Sequence, residues 1–447
     1  MKIIREPSCL QGKLSEYYAG KSPKGVKLSN HTHFQKVNAD CIIAYSFISD
    51  VIIALTQEEY ISIQEETESL KNAIIASLSA LGFYVSSEVH EQDVQKAIRQ
   101  GIFEVSSDAV KFVILPTTNC NAGCSYCISG KNQKQDMTHE TALSTIKFVN
   151  EASRAYKKVL FSWYGGEPLL GRETITLICN EFRRKNPNKW FSSSFSSNLV
   201  EMSDDALRTA IDVWNTTKIY VTFDGYKGKH NDKKGYSKSD FDGYGHSINI
   251  IEKLLEKGVQ VNCRFNIDKT NIKELDLVVK DIKRFTKSES FHFFVQPLRS
   301  EDKNAGFYTY EEFGEIQSLV DEILTSNGII PPVDSLVPKR AMKGCLAKSR
   351  HCNVIGADGN IFRCNLGNLT QSNSTGNIHD GVAINEVYRY FTKCDLDEEC
   401  IKCKFLPICQ GGCPERRINI SSTTSHCTAF KFKIEQVSKT LAKYYAG

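Results

Sequence analysis

The sequence lacks several features that would place it in a simple class. Its most apolar stretch, CIIAYSFISDVIIAL, is interrupted by Asp50, whereas a membrane-spanning helix needs about 20 apolar residues in a row. The first residues, MKIIREPSCL, contain no apolar segment of the kind found in secretory signals. We therefore expect a cytoplasmic protein with no membrane partner.

A continuous block of positive charge is also missing. The sequence has 56 basic and 52 acidic residues, a net charge of +4, and no long basic run. Nucleic-acid binding requires clustered positive charge, so we expect no nucleic-acid partner. With 41% hydrophobic and 24% charged residues, the composition is that of a globular protein, and its 447 residues suggest about three domains of roughly 150 residues each.

Between residues 110 and 328, short β-rich runs alternate with amphipathic helical patterns. The predicted strands are VKFVILPTT, VLFSWYGGEP, WFSSSFSSN, KIYVTFDG, VQVNCRFNID and SFHFFVQPLR. One helical pattern, SINIIEKLLEKG, starts at Ser247 and ends at Gly258. This alternation predicts an α/β fold with a parallel sheet. We expect residues 106–330 to form a partial (β/α)6 barrel, whose reactive groups belong at the C-terminal ends of the strands.

Residues 1–105 predict a separate α+β domain. A hairpin-like stretch runs from His33 to Leu55, and Thr56 with Glu59 has the pattern of a helix capping box. A helical stripe stops at Gly82, before a short strand FYV; it consists of Leu70, Ile74, Ile75, Leu78 and Leu81. This combination resembles a winged-helix fold. A plain structural cap is the alternative, and DNA binding is disfavoured because the candidate helix carries only Lys71 as a positive charge.

The sixteen cysteines are distributed unevenly. Disulfides are not expected in a reducing compartment. Cys120, Cys124 and Cys127 form CxxxCxxC directly after the first predicted strand. Three thiolates can hold three corners of a 4Fe-4S cluster and leave the fourth iron open; a zinc site is the alternative. Five cysteines fit no ligand spacing and are assigned no role: Cys9, Cys41, Cys179, Cys263 and Cys394.

The surroundings of this loop resemble the radical S-adenosylmethionine (SAM) superfamily. An aromatic residue precedes the third cysteine, GGEP ends the second strand, SSN follows the third, and VTFDG ends the fourth. The resemblance implies that the open iron binds SAM, which is cleaved reductively to methionine and a 5′-deoxyadenosyl radical that takes a hydrogen atom from substrate. It also implies an electron donor such as flavodoxin or ferredoxin. The expected SAM contacts are Tyr126, Gly165, Gly166, Glu167, Asn198 and Arg264, and no further catalytic residue is assigned.

Residues 331–447 contain Cx13Gx4C, then CxxCx5CxxxC and a last cysteine. This pattern resembles the SPASM extension, which implies two further 4Fe-4S clusters and three in all. The resemblance assigns Cys345, Cys352, Cys364 and Cys413 to auxiliary cluster I, and Cys400, Cys403, Cys409 and Cys427 to auxiliary cluster II. If Cys352 is not a ligand, cluster I keeps an open site. Electron transfer, simple stapling of the domain, and two zinc ribbons remain alternatives.

The combined resemblance is to radical SAM/SPASM peptide maturases. It implies a ribosomally made precursor peptide as substrate, whose leader is bound by the N-terminal domain, and an intrapeptide thioether or carbon–carbon crosslink as product. A peptide epimerase is one alternative. Another is an anaerobic sulfatase maturase that generates formylglycine, although Asn365 stands where that branch carries an acidic base. The non-enzyme alternatives are an iron-sulfur electron carrier and a zinc-stapled peptide-binding module.

Overall fold

The computed structural model describes residues 1–7, 25–64, 68–104, 107–129, 133–239, 241–298, 306–309, 312–340, 345–393, 396–419 and 427–446. The chain forms two compact units. The first unit contains Met1–Glu104, Thr309–Gly344 and Asp395–Gly447, and the second contains Val105–Tyr308 and Cys345–Cys394. No helix within the described ranges is long and apolar enough to cross a membrane.

The first unit combines residues from both predicted terminal domains, and the three-domain division stays a prediction. Its described strands are β1 Lys2–Arg5, β2 Val26–Leu28, β3 Thr32–Lys36, β4 Ile42–Ser46, β5 Val51–Leu55 and β6 Tyr84–Ser86. Its helices are Gln57–Gln64, Glu68–Ala80, Glu91–Glu104, Phe313–Ser326, Val333–Leu336, Glu398–Ile401, Leu406–Cys409, Pro414–Asn419 and Phe430–Tyr445. An antiparallel sheet has the order β1-β5-β4-β3, and β2 pairs with β6.

Strands β4 and β5 read IIAYS and VIIAL because both faces of this sheet are buried. On one face Tyr45 and Phe47 pack in a cluster with Val437 and Leu441 of the helix Phe430–Tyr445. On the other face Ile53 packs with Leu78 and Phe83. The helix Gln57–Gln64 starts at the predicted capping box: Thr56 and Glu59 exchange two backbone-to-side-chain hydrogen bonds, at 2.9 and 3.1 Å.

The second unit contains the larger sheet. Its described strands are β7 Ala109–Thr117, β8 Lys158–Gly165, β9 Trp190–Ser196, β10 Thr216–Phe223, β11 Gln260–Ile267, β12 Phe291–Pro297, β13 Cys352–Ile355, β14 Ile361–Phe362, β15 Gly376–Asn377 and β16 Gly381–Val382. Its helices are His139–Ala152, Arg172–Lys185, Asp204–Asp212, Lys227–Lys234, Gly243–Glu256, Leu275–Ile282 and Glu386–Lys393. Short 3-10 turns lie at Pro168–Gly171, Tyr236–Ser239, Ile272–Glu274, Lys283–Lys287, Leu346–Lys348 and Gln371–Asn373.

The six predicted strands are confirmed as β7 to β12, and they are parallel and adjacent in chain order. Two further described strands of this sheet were not predicted: β13 pairs parallel with β7, and β14 pairs antiparallel with β13. They are four and two residues long, too short for a readable period. The helix predicted from Ser247 begins at Gly243, because the Asp242 side chain accepts a hydrogen bond from Gly245 N at 3.1 Å and caps the helix.

The large sheet has one apolar and one polar face. Phe161 lies edge-on against Phe182 of the helix Arg172–Lys185, and Phe195 packs against Trp214, so the apolar face is covered. Residues at alternate positions, such as Ser194 on β9 and Arg264 on β11, point to the opposite face. Because β7 to β12 are parallel, their C-terminal ends meet at one edge, where the loops after them can form a site.

Three of the cysteines assigned no role lie in apolar surroundings. Cys179 and Cys263 are fully buried, and Cys41 packs beside the core cluster of the first unit. Cys9 and Cys394 lie outside the described residues.

Candidate active site and iron-sulfur sites

The loop after β7 carries Cys120, Cys124 and Cys127. Cys127 N donates to Cys124 O at 3.1 Å, and Ala122 N donates to the Cys120 sulfur at 3.4 Å. Partial burial raises the pKa of Cys120, and the nearby thiols of Cys124 and Cys127 raise it further. The fold thus brings the three predicted ligands together at the C-terminal edge of the sheet.

Two glycines allow the end of β8 to lie against this loop. A Cβ on Gly165, which has φ of 129°, would stand 2.1 Å from Thr117 O, and one on Gly166 would stand 2.0 Å from Asn119 O. Glu167 N donates to that same Asn119 oxygen at 2.8 Å. The close backbone approach expected of GGEP is therefore an approach to the cysteine loop itself, and a role in SAM binding stays a prediction.

Glu167 is buried and joins the ends of two strands. Its carboxylate accepts hydrogen bonds from Leu169 N at 3.1 Å, Ser197 Oγ at 2.9 Å and Asn198 N at 2.7 Å. Burial raises the pKa of Glu167 to about 7 against the effect of these bonds. A carboxylate has about four acceptor positions, so one is left for the predicted SAM ammonium.

Asn198 lies over the cysteine loop. Its Nδ2 donates to Asn121 Oδ1 at 2.7 Å and lies 4.0 Å from the Cys120 sulfur, while its Oδ1 accepts from Val200 N at 3.0 Å. The predicted ribose contact is thus next to the predicted cluster ligands.

A buried polar network below the loop was not predicted. The Asp224 carboxylate accepts from Tyr126 OH at 2.5 Å and Asn266 Nδ2 at 2.8 Å, and it pairs with Lys234 Nζ at 2.9 Å. Lys234 O in turn accepts from Gly123 N at 2.8 Å. Burial would raise the pKa of Asp224, but Lys234 and Tyr126 lower it to about 2. VTFDG contains Asp224 but gave no indication of its partners, of which Tyr126 and Asn266 lie 98 and 42 residues away in the sequence.

The polar face of β11 carries buried side-chain atoms for which the described residues provide no hydrogen bond. Among the described residues, the buried atoms Asn262 Nδ2, Arg264 Nε and Asn266 Oδ1 have no hydrogen-bond partner. The three residues alternate along β11 and therefore share one face. Buried polar groups are rarely left unpaired, so this face is suited to a polar ligand. Such a ligand fits the SAM contact predicted for Arg264.

The second unit also holds three of the four predicted ligands of auxiliary cluster I. Cys352 begins β13 and packs in an apolar cluster with Val113 and Phe362. Burial raises its pKa to about 11, and the nearby thiol of Cys345 contributes to the rise. Cys364 follows β14, and its sulfur accepts from Leu366 N at 3.4 Å. The fourth predicted ligand, Cys413, belongs to the first unit.

The four predicted ligands of auxiliary cluster II lie together in the first unit. Burial raises the pKa of Cys409, and Cys427, Cys400 and Cys403 raise it further. Cys403 N donates to Cys400 O at 3.2 Å, which is the tight CxxC turn. Arg417 Nη2 donates to the Cys400 sulfur at 3.0 Å, a contact for which the sequence pattern gave no signal.

Throughout the described part of the chain, no three cysteine, histidine or acidic side chains are grouped as they would be around one metal ion. Sets of three and four cysteine thiols are donor sets that fit 4Fe-4S clusters, and zinc stays the alternative.

Part of the chain matches a known protein family. Residues 114–282, from within β7 to the end of the helix Leu275–Ile282, match the model of the Radical SAM superfamily. The second unit therefore contains a radical SAM domain.

The individual relatives have low sequence identity to this chain. The chain is 25% identical over 359 residues to the cysteine-type anaerobic sulfatase-maturating enzyme of Clostridium perfringens. The alignment covers 70% of this chain and 92% of that protein. The structure of native anSMEcpe with bound AdoMet and Cp18Cys peptide matches with a TM-score of 0.57 and 22% identity, over 75% of this chain and 96% of that chain. Streptococcus suis SuiB bound to precursor peptide SuiA matches with a TM-score of 0.53 and 14% identity, over 90% of this chain and 100% of that chain. At these identities the structural matches establish a common fold.

Proposed function

We propose that this protein is a peptide maturase that uses radical SAM chemistry on a ribosomally synthesised precursor peptide and installs an intrapeptide thioether or carbon–carbon crosslink. The observation that carries the proposal is the extent of the fold similarity to SuiB, a protein with a bound precursor peptide. It covers 90% of this chain, compared with 75% for anSMEcpe.

The residues of the site have distinct tasks in this proposal. Cys120, Cys124 and Cys127 hold a 4Fe-4S cluster. When bound, the cluster and SAM supply the radical chemistry that removes a hydrogen atom from the substrate. Glu167 fixes the loops after β8 and β9 through its three hydrogen bonds. Arg264 offers a buried donor to a carboxylate, and the polar face of the sheet receives the peptide.

We assign leader binding to the outer edge of β3. Val37 N donates to Cys41 O, and Phe47 N donates to His31 O, both at 3.0 Å, so alternate residues from His31 to Val37 bond to β4. In an antiparallel pair the residues between them direct their N–H and C=O groups away, which applies to Phe34 and Lys36. No other strand of the described chain pairs with this edge. A leader strand could therefore add there; at Lys36 it would displace the local hydrogen bond from Gln35 Nε2 to Lys36 O, which is 3.3 Å long.

Auxiliary clusters I and II complete the proposal. Cys345, Cys352, Cys364 and Cys413 would hold the first, and Cys400, Cys403, Cys409 and Cys427 the second. A substrate radical that becomes a closed-shell crosslink must lose one electron, and these clusters could accept it. The enzyme would need an electron donor such as flavodoxin or ferredoxin, and a cytoplasmic location would keep the clusters reduced.

A sulfatase-maturase-like activity is the second candidate. It is favoured by the 25% identity to the Clostridium perfringens enzyme, which extends over 92% of that protein. It is disfavoured by Asn365, because an amide cannot act as the base that we expect after Cys364 in that branch.

The test is mass spectrometry of a peptide encoded beside the gene, after anaerobic incubation with the full-length protein, SAM and a reductant. A loss of two mass units supports a crosslink. Conversion of a cysteine or serine to formylglycine would favour the second candidate. A mass that is unchanged in ordinary water but rises by the mass difference of one deuterium in heavy water would indicate epimerisation. No 5′-deoxyadenosine in any reaction would refute all three activities.

A further inference from the structure

Arg417 is oriented towards a sulfur atom. It lies on the short helix Pro414–Asn419, one turn after Cys413, and its side chain is only 10% exposed. Its Nη2 donates to the Cys400 sulfur at 3.0 Å. A guanidinium keeps its proton throughout the accessible pH range and can only donate, so the sulfur must be the acceptor.

Two other contacts fix this orientation. Arg417 Nε donates to Gly411 O at 2.7 Å, and Nη1 donates to both oxygens of Asp397, at 3.0 and 3.3 Å. Gly411 and Gly412 have φ of 80° and 76°, and a Cβ on Gly411 would stand 2.2 Å from Leu396 Cδ2. This turn therefore needs glycine, and it presents the carbonyl that holds the arginine. The planar guanidinium, bound along two edges, leaves Nη2 for Cys400.

Arg363 provides a contrast near another predicted ligand. It lies beside Cys352, but its Nε donates to Ala347 O at 3.1 Å, its Nη1 to Cys352 O at 2.9 Å, and its Nη2 to Ser349 O. All three bonds go to backbone carbonyls, so Arg363 stabilises the local backbone conformation. Arg417, in contrast, contacts the sulfur of a predicted ligand.

We propose that Arg417 is a positioning residue that raises the reduction potential of auxiliary cluster II through its charged hydrogen bond to Cys400. This inference rests on the proposed function, in which Cys400, Cys403, Cys409 and Cys427 hold that cluster. Net charge and hydrogen bonds to the sulfurs set the potential of iron-sulfur clusters. A cationic donor stabilises the reduced, more negative state more than the oxidised state, so the cluster becomes a better electron acceptor.

The chain offers a matched control in Lys402. It also follows Cys400 closely and carries the same charge, but its side chain is 67% exposed and pairs with Glu398 at 3.2 Å. An exposed charge is screened by water and salt, and Lys402 has no described hydrogen bond to a sulfur. Replacing either residue by glutamine removes one positive charge from the protein.

The experiment is an anaerobic redox titration of the full-length, cluster-loaded protein, followed by electron paramagnetic resonance. A parallel titration with Cys124 and Cys364 replaced by alanine assigns the signal of auxiliary cluster II. For Arg417→Gln we expect the ratio of reduced to oxidised cluster, at the wild-type midpoint, to fall about tenfold, which for one electron is about 59 mV. Lys402→Gln should change the ratio less than twofold. Arg417→Lys keeps the charge without the three-point geometry and should give an intermediate fall.

Iron and acid-labile sulfide contents separate the outcomes. If Arg417→Gln keeps both contents and its ratio stays within twofold of the wild type, the inference is wrong. If that variant loses the cluster, the same criterion is applied to Arg417→Lys. A ratio within twofold of the wild type in that variant would then show that the inference is wrong. Wild-type protein that binds no iron through Cys400, Cys403, Cys409 and Cys427 would instead refute the cluster assignment of the proposed function.

Discussion

Gly166 lies so close to Asn119 that a Cβ on the glycine would stand 2.0 Å from the asparagine carbonyl oxygen. No side chain tolerates such a contact with backbone, so Gly166→Ala must push the cysteine loop away from β8. We expect the variant to lose the iron of one cluster and to release no 5′-deoxyadenosine, as measured by iron analysis and chromatography. Gly228→Ala is the control, because its Cβ would meet nothing within 4 Å. Full iron binding by Gly166→Ala would contradict the close approach.

Cys124→Ala should abolish SAM cleavage while leaving the predicted auxiliary clusters in place. The thiol is one of only three proposed ligands in its loop, and a cubane cannot be held there by two. We expect iron content to fall by one cluster and 5′-deoxyadenosine release to fall below detection. Cys179→Ala, which removes a fully buried thiol with no proposed ligand role, should keep both. Equal losses in the two variants would mean that general destabilisation was being measured.

Asp224 and Lys234 form a buried ion pair at 2.9 Å. We therefore expect the effects of replacing them on the free energy of unfolding to be coupled. Removing one partner leaves a buried charge uncompensated, which costs about 3–5 kcal/mol, whereas replacing both partners costs much less. Asp224→Asn and Lys234→Met should each lower the free energy of unfolding strongly. The double variant should then be more stable than the sum of the two losses predicts, as measured by urea denaturation of the cluster-free protein. Additive losses would argue against the pair.

Asp321 should make the stability of the first unit depend on pH. Its carboxylate accepts from Gln317 Nε2 and Thr440 Oγ1, both at 2.6 Å, but burial raises its pKa above the usual value. A raised pKa in the folded state stabilises the protein below about pH 4, and this contribution is lost as the pH rises through the folded-state pKa. As the pH rises through this range, the free energy of unfolding of the wild type should fall relative to that of Asp321→Asn. The fall should be about 1.4 kcal/mol for each unit by which the folded-state pKa of Asp321 is raised.

The measurement for Asp321 is urea denaturation of both proteins from pH 4 to pH 8. Asp205→Asn, at a carboxylate that is 81% exposed, is the control for the loss of a surface charge. A stability difference between wild type and Asp321→Asn that stays constant over this range would show that burial does not perturb the carboxyl group.

Lys36→Pro should block leader binding without disrupting β3. The Lys36 N–H points away from β4 by the alternation described above, so proline removes only a group available to an added strand, a position where edge strands accept proline. We expect the affinity for a fluorescently labelled precursor to fall at least tenfold relative to Lys36→Ala. SAM cleavage without peptide should remain as in the wild type. If the proline and alanine variants bind the precursor equally, the leader does not add at this edge.

The sequence predicted those parts of the fold that depend on local periodicity. Strands β7 to β12 could be found because each is a short β-rich run between helical patterns, and Thr56 with Glu59 is a local capping signal. Strand β13 could not be found, because four residues carry no period and its partner β7 lies more than 200 residues earlier. The partners of Asp224 were hidden for the same reason. Tertiary packing brings Tyr126, Lys234 and Asn266 to it, and no spacing rule links them.

The cysteine patterns identified candidate ligands, because ligand spacing within a loop is local. They gave no information on what surrounds each sulfur. Arg417 is separated from Cys400 by a turn that depends on two left-handed glycines, and only the folded chain brings its guanidinium to the sulfur. Likewise, nothing in the sequence indicated that Glu167 accepts three hydrogen bonds within the protein, and its contact with SAM stays a prediction.

The hydrogen bond between Tyr45 OH and Ser438 Oγ, 2.6 Å long, joins segments that are 393 residues apart and are therefore synthesised at different times. The sheet that contains Tyr45 emerges from the ribosome early, yet the helix covering one of its faces is synthesised only after the whole second unit. Until then its apolar residues, Phe47 among them, have no native cover on that side. Long-range contacts of this kind slow folding and leave apolar surface exposed, so we expect the nascent chain to depend on a chaperone until the helix Phe430–Tyr445 is released.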